Sequence, residues 1–206
     1  MRVSATNLEA FRRWKADEKA ELSDLLAYLR RETPPTDAMR AGTALHKVLE
    51  LAQDGDALDV VERDGFRFTF RIDGELALQP FRELKIERPL VLDGEAHTLV
   101  CVVDTIGGRE VCDHKLTGKA DAENYTASMQ WRANLEWADC DAFTYNLFQQ
   151  YQPAGEPGHY VITDMVPVTF YRYPGMDDEV AALVAEFLAF IRENAPDIYN
   201  KRQRAA

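Results

Sequence analysis

The sequence lacks any apolar run approaching the ~20 residues that cross a bilayer as a helix, so no membrane span is expected. Met1 to Leu8 lacks the apolar centre of a secretory leader. Cysteine is scarce. Cys101, Cys112 and Cys140 form no C-x-x-C pair and no metal-finger spacing. They read as buried, reduced core thiols, and a cytoplasmic location is expected. Positive charge is also in deficit: 24 Lys and Arg against 35 Asp and Glu leave a net charge of -11. That argues against a broad basic footprint for nucleic acid. It leaves room for a protein whose positive charge is local or comes from a bound cation. The bases do gather, at Arg12, Arg13, Lys15 and Lys19, at Arg30, Arg31, Arg40 and Lys47, and at Lys201, Arg202 and Arg204. No repeat, low-complexity tract or long linker divides the chain, so residues 1–206 read as one domain with a helical N-terminal portion.

Helical spacing of Leu8, Phe11, Leu22, Leu25, Leu26 and Leu29 predicts a helix over Asn7 to Arg31, broken by Thr33-Pro34-Pro35-Thr36. A second helix is expected from a cap at Asp37 to about Gln53, followed by a turn at Asp54-Gly55-Asp56. Strands then follow at short intervals: Val60 to Glu62, Phe66 to Ile72, Phe81 to Leu92, His97 to Ile106 and Arg109 to His114. The turns between them fall at Asp64-Gly65, Asp73-Gly74, Asp93-Gly94 and Gly107-Gly108. Helical signals return over Asp121 to Trp137 and Ala142 to Tyr151. Tyr160 to Tyr173 reads as strand interrupted at Pro167, and Met176 to Asn194 as a last amphipathic helix. The expected fold is α/β in the broad sense (mixed α+β). Its central mixed sheet is mostly antiparallel at its start and flanked by helices.

Chemistry concentrates at Val103-Asp104-Thr105-Ile106-Gly107-Gly108-Arg109-Glu110-Val111-Cys112-Asp113-His114-Lys115. A two-residue turn at Gly107-Gly108 sets Asp104 opposite Val111, with Asp113 its diagonal neighbour. Side chains alternate faces with period two. Asp104, Asp113 and Lys115 then share one face, and Cys101, Cys112 and His114 the other. Two acids and one lysine leave a charge unbalanced unless a cation joins them. A hard divalent ion with oxygen ligands fits this chemistry.

Four elements line up along the chain. Gly42-Thr43-Ala44-Leu45-His46 lies on the second helix, Asp104 on a strand, Asp113-His114-Lys115 at the end of the next, and Gln130 on the helix after it. This order resembles the PD-(D/E)XK nuclease superfamily, in particular its RecB-like and phage-exonuclease branch, over roughly residues 40–135. The resemblance implies a restriction-endonuclease-like core and Mg2+- or Mn2+-dependent hydrolysis of DNA phosphodiesters. It implies Asp104 and Asp113 as metal ligands, His46 as another, and the backbone carbonyl of His114 as a further one. Lys115 would activate the attacking water and steady the phosphate, and Gln130 would position Lys115 or the DNA strand. It also implies DNA as partner, a single-strand annealing protein as companion, and homo-oligomers among relatives. The sequence departs at Asn134, where relatives often have Tyr, and it lacks the four cysteines of the iron–sulfur relatives.

Plainer readings stand beside these. Asp104, Asp113 and Lys115 can form a structural ion pair, and His46 can be an ordinary helix histidine paired with Glu50. Gln130 can face solvent, and Glu87 is either an extra acidic ligand or part of a plain alternating strand. Trp131 and Trp137 read as core or rim. Tyr125 and Ser128 carry weaker signals, and His97 and His159 have no matched partners. The rival functions are an endonuclease of the same superfamily and a non-catalytic acidic protein that mimics DNA.

Overall fold

The computed structural model describes residues 1–72 and 78–200. The expected turn at Asp73-Gly74 and the bases at Lys201, Arg202 and Arg204 lie outside the described residues. The chain opens with a short strand, β1 (Arg2–Ser4), then α1 (Ala5–Ala16), α2 (Leu22–Arg30) and α3 (Asp37–Leu51). Strands β2 (Val60–Arg63), β3 (Phe66–Phe70), β4 (Phe81–Leu92), β5 (Glu95–Gly107) and β6 (Glu110–Thr117) follow. Helices α4 (Glu123–Thr126) and α5 (Met129–Ala138) precede β7 (Ala142–Tyr151) and β8 (His159–Tyr171), and α6 (Met176–Asn194) and α7 (Pro196–Asn200) close the fold.

The eight strands form one mixed sheet, ordered β1-β5-β6-β7-β8-β3-β2, with β4 paired to β5. The mixed sheet flanked by helices agrees with the sequence reading. Asp64-Gly65 and Asp93-Gly94 close two-residue hairpins, and all four residues take the positive φ that such turns require. β5 holds β4 along one edge and shares the other edge between two neighbours. β1 pairs in parallel with Thr98, Leu99 and Val100, and β6 pairs only with Thr105, Ile106 and Gly107. Residues 101–104 of β5 therefore face a fork in the sheet, and Asp104 stands in it.

Several elements differ from expectation. The first long helix is two, α1 ending at Asp17 and α2 beginning after Glu21. Thr36, not Asp37, caps α3, its hydroxyl oxygen accepting the Met39 N–H at 3.2 Å. The helical reading of Ala142 to Tyr151 is wrong: it is strand β7, in parallel with β6 and antiparallel to β8. Its apolar residues are buried on both faces of the sheet, so the period-two signal is erased and the run resembles a buried helix. Asp121 to Trp137 splits at Ser128 into α4 and α5. β8 runs unbroken through Pro167 because β3 pairs only with its first residues, leaving one side of the strand open there.

Two apolar cores lie on opposite faces of the sheet. The larger joins α1, α2, α5 and α6 to Leu99, Val103, Val111, Phe143, Tyr145 and Leu147. The smaller joins α3, through Ala41, Leu45, Val48 and Leu49, to Phe68, Phe148, Tyr160 and Ile162. Two of the buried polar residues are Glu9 and Asn134. Glu9 of α1 is 6% exposed and reaches across to α5, its carboxylate accepting the Met129 N–H at 2.7 Å. Asn134 of α5 is 1% exposed, and both its side-chain amide atoms are buried without a hydrogen-bond partner.

An unsatisfied buried amide carries its desolvation cost with no return. Asn134→Leu, with the same branching and number of side-chain heavy atoms, is expected to raise stability by about 1–2 kcal/mol. That corresponds to roughly 2–8 °C in thermal midpoint for a chain of this size. Thermal and urea unfolding of the variant check it; a lowered midpoint shows that Asn134 has a partner that the packing does not reveal.

Candidate active site

Asp104, Asp113 and Lys115 come together at the fork. The turn of their hairpin is Gly108-Arg109 rather than Gly107-Gly108, so Gly107 pairs with Glu110 and Thr105 with Cys112. Gly107 is needed one position earlier because a Cβ there would collide with Gln79 and Pro80. Moving the turn by one residue shifts the pairing by two, which by itself preserves the faces; the expected shared face nonetheless fails, since Asp104 meets His46 of α3 and Asp113 meets Gln130 of α5 on the other side of the sheet. The pairing ends at Thr105↔Cys112, one step short of the level at which Asp104 would meet Asp113.

The backbone ladder stops at that step. The His114 N–H donates to Asp104 Oδ2 at 2.6 Å, so a carboxylate takes the place of a strand carbonyl. The expected grouping of Cys101 with Cys112 and His114 does not hold. Cys101 packs with Leu99 and Val103 in the same core as Ile106 and Val111. The inward set on β5 therefore changes parity between Val103 and Ile106, and Asp104 sits at the change.

His46 reaches the fork from α3. Its Nε2 lies 2.7 Å from the His114 carbonyl oxygen and its Nδ1 3.2 Å from Asp104 Oδ1. Both neighbours are acceptors, so the ring donates from both nitrogens when protonated. Burial, the largest influence, lowers the His46 pKa, but the hydrogen bond and charge of Asp104, with Asp113 behind it, outweigh burial and hold it above 6.5. The ring thus lies between two acceptors, where positive charge is favoured. The Asp104 carboxyl is pushed up by burial, yet His46 and the His114 N–H bring it below its ordinary value. The His114 ring points away, against Phe148 and within 3.3 Å of Asn146 Nδ2. Burial holds its pKa down at about 4, so only its backbone carbonyl and N–H serve the site.

Glu83 completes a compact donor set. Ligand atoms of His46, Glu83 and Asp104 all lie within 4.8 Å of one another. Glu83 adopts a left-handed backbone (φ 48°) between Arg82↔Thr105 and Leu84↔Val103 in the β4–β5 ladder. Partial burial and then the charge of Asp104 raise its pKa, the sign of acids crowded without a counter-charge. The sequence reading weighed Glu87 instead, which pairs with Arg2 and Lys85. A signal for Glu83 existed: the Asp93-Gly94 turn sets Leu92 against Glu95, and counting back along the hairpin puts Glu83 opposite Asp104. Glu50 is exposed on α3 and is no partner of the His46 ring, whose two nitrogens are already engaged.

The other half of the site faces α5. Asp113 is 3% exposed. Its Oδ1 accepts from Gln130 Nε2 at 2.9 Å, and its Oδ2 lies 2.6 Å from Lys115 Nζ. Burial, opposed by Lys115 and reinforced by Asp104, raises the Asp113 pKa. Burial lowers that of Lys115, but Asp113 prevails and raises it. Lys115 therefore stays cationic, its Nζ 5.8 Å from the centre of the Tyr145 ring. Asp113 lies outside the His46–Glu83–Asp104 set. With Asp104, Asp113 and Lys115 read on one face, the helices of Gln130 and His46 would both lie on that side. They arrive from opposite faces, α5 packing in the larger core and α3 in the smaller.

Arg82 was missed by sequence reasoning. Its guanidinium donates to the carbonyls of Leu49, Glu50 and Ala52. It ties the C-terminal end of α3 to β4, where positive charge is favoured, and so fixes the helix that bears His46 beside the strand that bears Glu83.

No protein-family model matches the sequence, and no curated protein matches it significantly. Solved structures do match the fold. LHK-Exo in complex with dAMP superposes with a TM-score of 0.52 at 13% identity, covering 98% of this chain and 92% of that one. The alkaline exonuclease LHK-Exo from Laribacter hongkongensis gives a TM-score of 0.50 at 12% identity, over 100% and 95% of the two chains. SSO0001 gives 0.51 at 12% identity, over 94% and 77%. The chain has the fold of these proteins, whose identities are too low to carry more than fold.

The two histidines should titrate far apart in the ion-free protein. His46, raised, contributes stability that is complete below pH 6.5 and is lost as pH rises through its folded pKa. His114, lowered, favours the folded state least in acid: stability falls as pH drops from 6.5 towards about 4. Histidine NMR titration should place one midpoint above 6.5 and one near 4. Millimolar Mg2+ or Mn2+ should pull the His46 midpoint down, because the ion takes the place of the proton. A His46 midpoint indifferent to both ions removes it from the cation site.

Proposed function

We propose that this protein is a divalent-metal-dependent deoxyribonuclease, most specifically an exonuclease on DNA ends. The observation that carries the reading is the convergence at one strand fork of Asp104, Asp113, Lys115, His46 and Gln130, five residues from four elements. The fold likeness to an alkaline exonuclease supports it, as does that enzyme's complex with dAMP.

The donor set suits a hard cation. Glu83 and Asp104 offer carboxylate oxygens, His46 one imidazole nitrogen, and the His114 carbonyl another oxygen beside them. We assign these residues, with Asp113 adjoining, to Mg2+ or Mn2+. A bound ion there would supply Lewis-acid charge to a phosphodiester. Lys115 provides a fixed ammonium where phosphate charge builds up, in a setting that keeps it protonated. Asp113 holds that ammonium in place, and Gln130 holds Asp113. Neutral His46 is the form able to ligate, so ion binding expels its proton.

The same resemblance extends the proposal to processing of duplex ends in phage-type recombination, with a single-strand annealing protein as companion. Incubation of end-labelled linear duplex and of covalently closed circular DNA with Mg2+ or Mn2+ tests it. Release of mononucleotides from the linear substrate alone supports an exonuclease. Nicking of the circle makes it an endonuclease of the same chemistry, and no cleavage of either, with either ion, removes the nuclease reading.

Two substitutions separate the roles. Lys115→Ala should keep ion binding and lower kcat by about 10²–10³-fold, as loss of one transition-state donor does. Glu83→Gln should instead raise the metal concentration for half-maximal activity by about 10-fold or more. Calorimetric ion titration beside steady-state kinetics distinguishes them. An unchanged kcat in Lys115→Ala, or an unchanged metal dependence in Glu83→Gln, rules out the corresponding role.

A further inference from the structure

Glu9 is a buried carboxylate that the proposed chemistry does not use. It sits on α1, 120 residues away in sequence from the atom it binds, the backbone N–H of Met129 at 2.7 Å. Met129 is the first residue of α5, and the next residue is Gln130, whose side chain holds Asp113. Three successive residues are clamped at this turn. The Tyr145 hydroxyl donates to Ser128 Oγ at 3.5 Å, Glu9 accepts from Met129, and Ser128 Oγ accepts the Gln130 N–H at 3.1 Å.

Stability alone accounts poorly for this acid. A buried ion pair seldom outperforms apolar packing of the same volume, and Glu9 shares α1 with Leu8 and Phe11 of the larger core. Two arginines are spent on Glu9: Arg12 donates twice at 2.9 Å and Arg13 once at 2.6 Å. Burial raises the Glu9 pKa, but these arginines and the Met129 N–H bring it below its ordinary value, so the group stays charged. A fixed negative charge at a helix start binds the exposed N–H groups and the positive end of the helix dipole.

We propose that Glu9 is a positioning residue for the Asp113–Lys115 pair, acting through the first turn of α5 and Gln130. By this route α1 sets where Gln130 donates, although it touches neither acid of the fork. The catalytic consequence rests on the nuclease reading above; the anchoring of α5 does not.

A double-mutant cycle on the full chain tests it. Glu9→Gln is expected to lower kcat by about tenfold, the lower range for losing a support behind a metal-site residue, with little change in KM. In a Gln130→Leu background the same substitution should have no further effect, because the route is already cut. Met129→Pro approaches from the other side. Proline is favoured at the first helical position and removes the N–H that Glu9 binds, while Ser128 already has the extended backbone that proline requires of its predecessor. This variant should reproduce the kcat loss with Glu9 and its arginines intact, and it serves if Glu9→Gln does not fold.

Hydrogen exchange at the Met129 amide should accelerate in Glu9→Gln, and the Gln130 side-chain amide resonances should shift. Effects of Glu9→Gln and Gln130→Leu that multiply, or a Met129 amide equally protected in Glu9→Gln, overturn the proposal and leave Glu9 a structural ion pair. Should the wild-type protein cleave no DNA, the nuclease reading fails separately. The Gln130 amide resonances then decide: a shift in Glu9→Gln upholds the anchor, and none overturns it.

Discussion

The hydrogen bond from the His114 N–H to Asp104 Oδ2 is the contact on which the rest of the site depends. A sheet is normally held by backbone pairs, and an unpaired buried N–H is costly. Here β5 gives one edge first to β1 and then to β6, and the fork leaves His114 without a strand carbonyl. The Asp104 carboxylate fills that vacancy in the ladder. In doing so it is drawn into the gap, with its second oxygen turned to His46. The same bond closes the sheet and aims an acid.

Two helices on opposite faces of the sheet serve the fork. From α3, His46 bridges Asp104 and the His114 carbonyl; from α5, Gln130 fixes Asp113, which in turn fixes Lys115. Each helix packs on its own apolar core, so the two halves are positioned by separate sets of contacts. The three acids, Glu83, Asp104 and Asp113, face one permanent cation, Lys115. Against burial, Asp104 and Asp113 draw the His46 pKa up, and burial with the charge of Asp104 raises that of Glu83. Such crowding favours a divalent ion over any arrangement of the residues alone. Under the proposed nuclease function, a chain of net charge -11 would meet a polyanion through local charge, Lys115 and a bound cation.

The N-terminal helices belong to this arrangement. β1 occupies the β5 edge above the fork, and α1 follows directly from it. Glu9 then ties α1 to α5 across the larger core. The segment that creates the fork, by taking part of the β5 edge, also supports the helix that reaches into it.

Much of this was legible in the sequence. The Asp-X-Lys at Asp113 to Lys115, the upstream Asp104 and the flanking His46 and Gln130 were all identified by residue type and order. The hairpins at Asp64-Gly65 and Asp93-Gly94 follow from turn chemistry, because only a few residues accept the positive φ. Even the shared face of Asp113 and Lys115 needs only the two-residue period of a strand. What failed, failed where local signals were symmetric or absent. β7 is covered on both faces, so its apolar run carried no period to distinguish strand from helix. The Gly107-Gly108 pair offered two turns; the chain turns at Gly108-Arg109, and Gly107 leaves room for Gln79 and Pro80. Glu83 looked like any strand acid until its register met Asp104, and Glu9 like any helix acid until α1 packed on α5. The sequence by itself determined which chemistry was present and the order of its elements, since those reside in residue identity and short-range geometry. Only the tertiary structure decided which acids face one another, from which side each helix arrives and where the sheet forks. Those depend on how strands of distant sequence compete for one edge, and no local spacing encodes that competition.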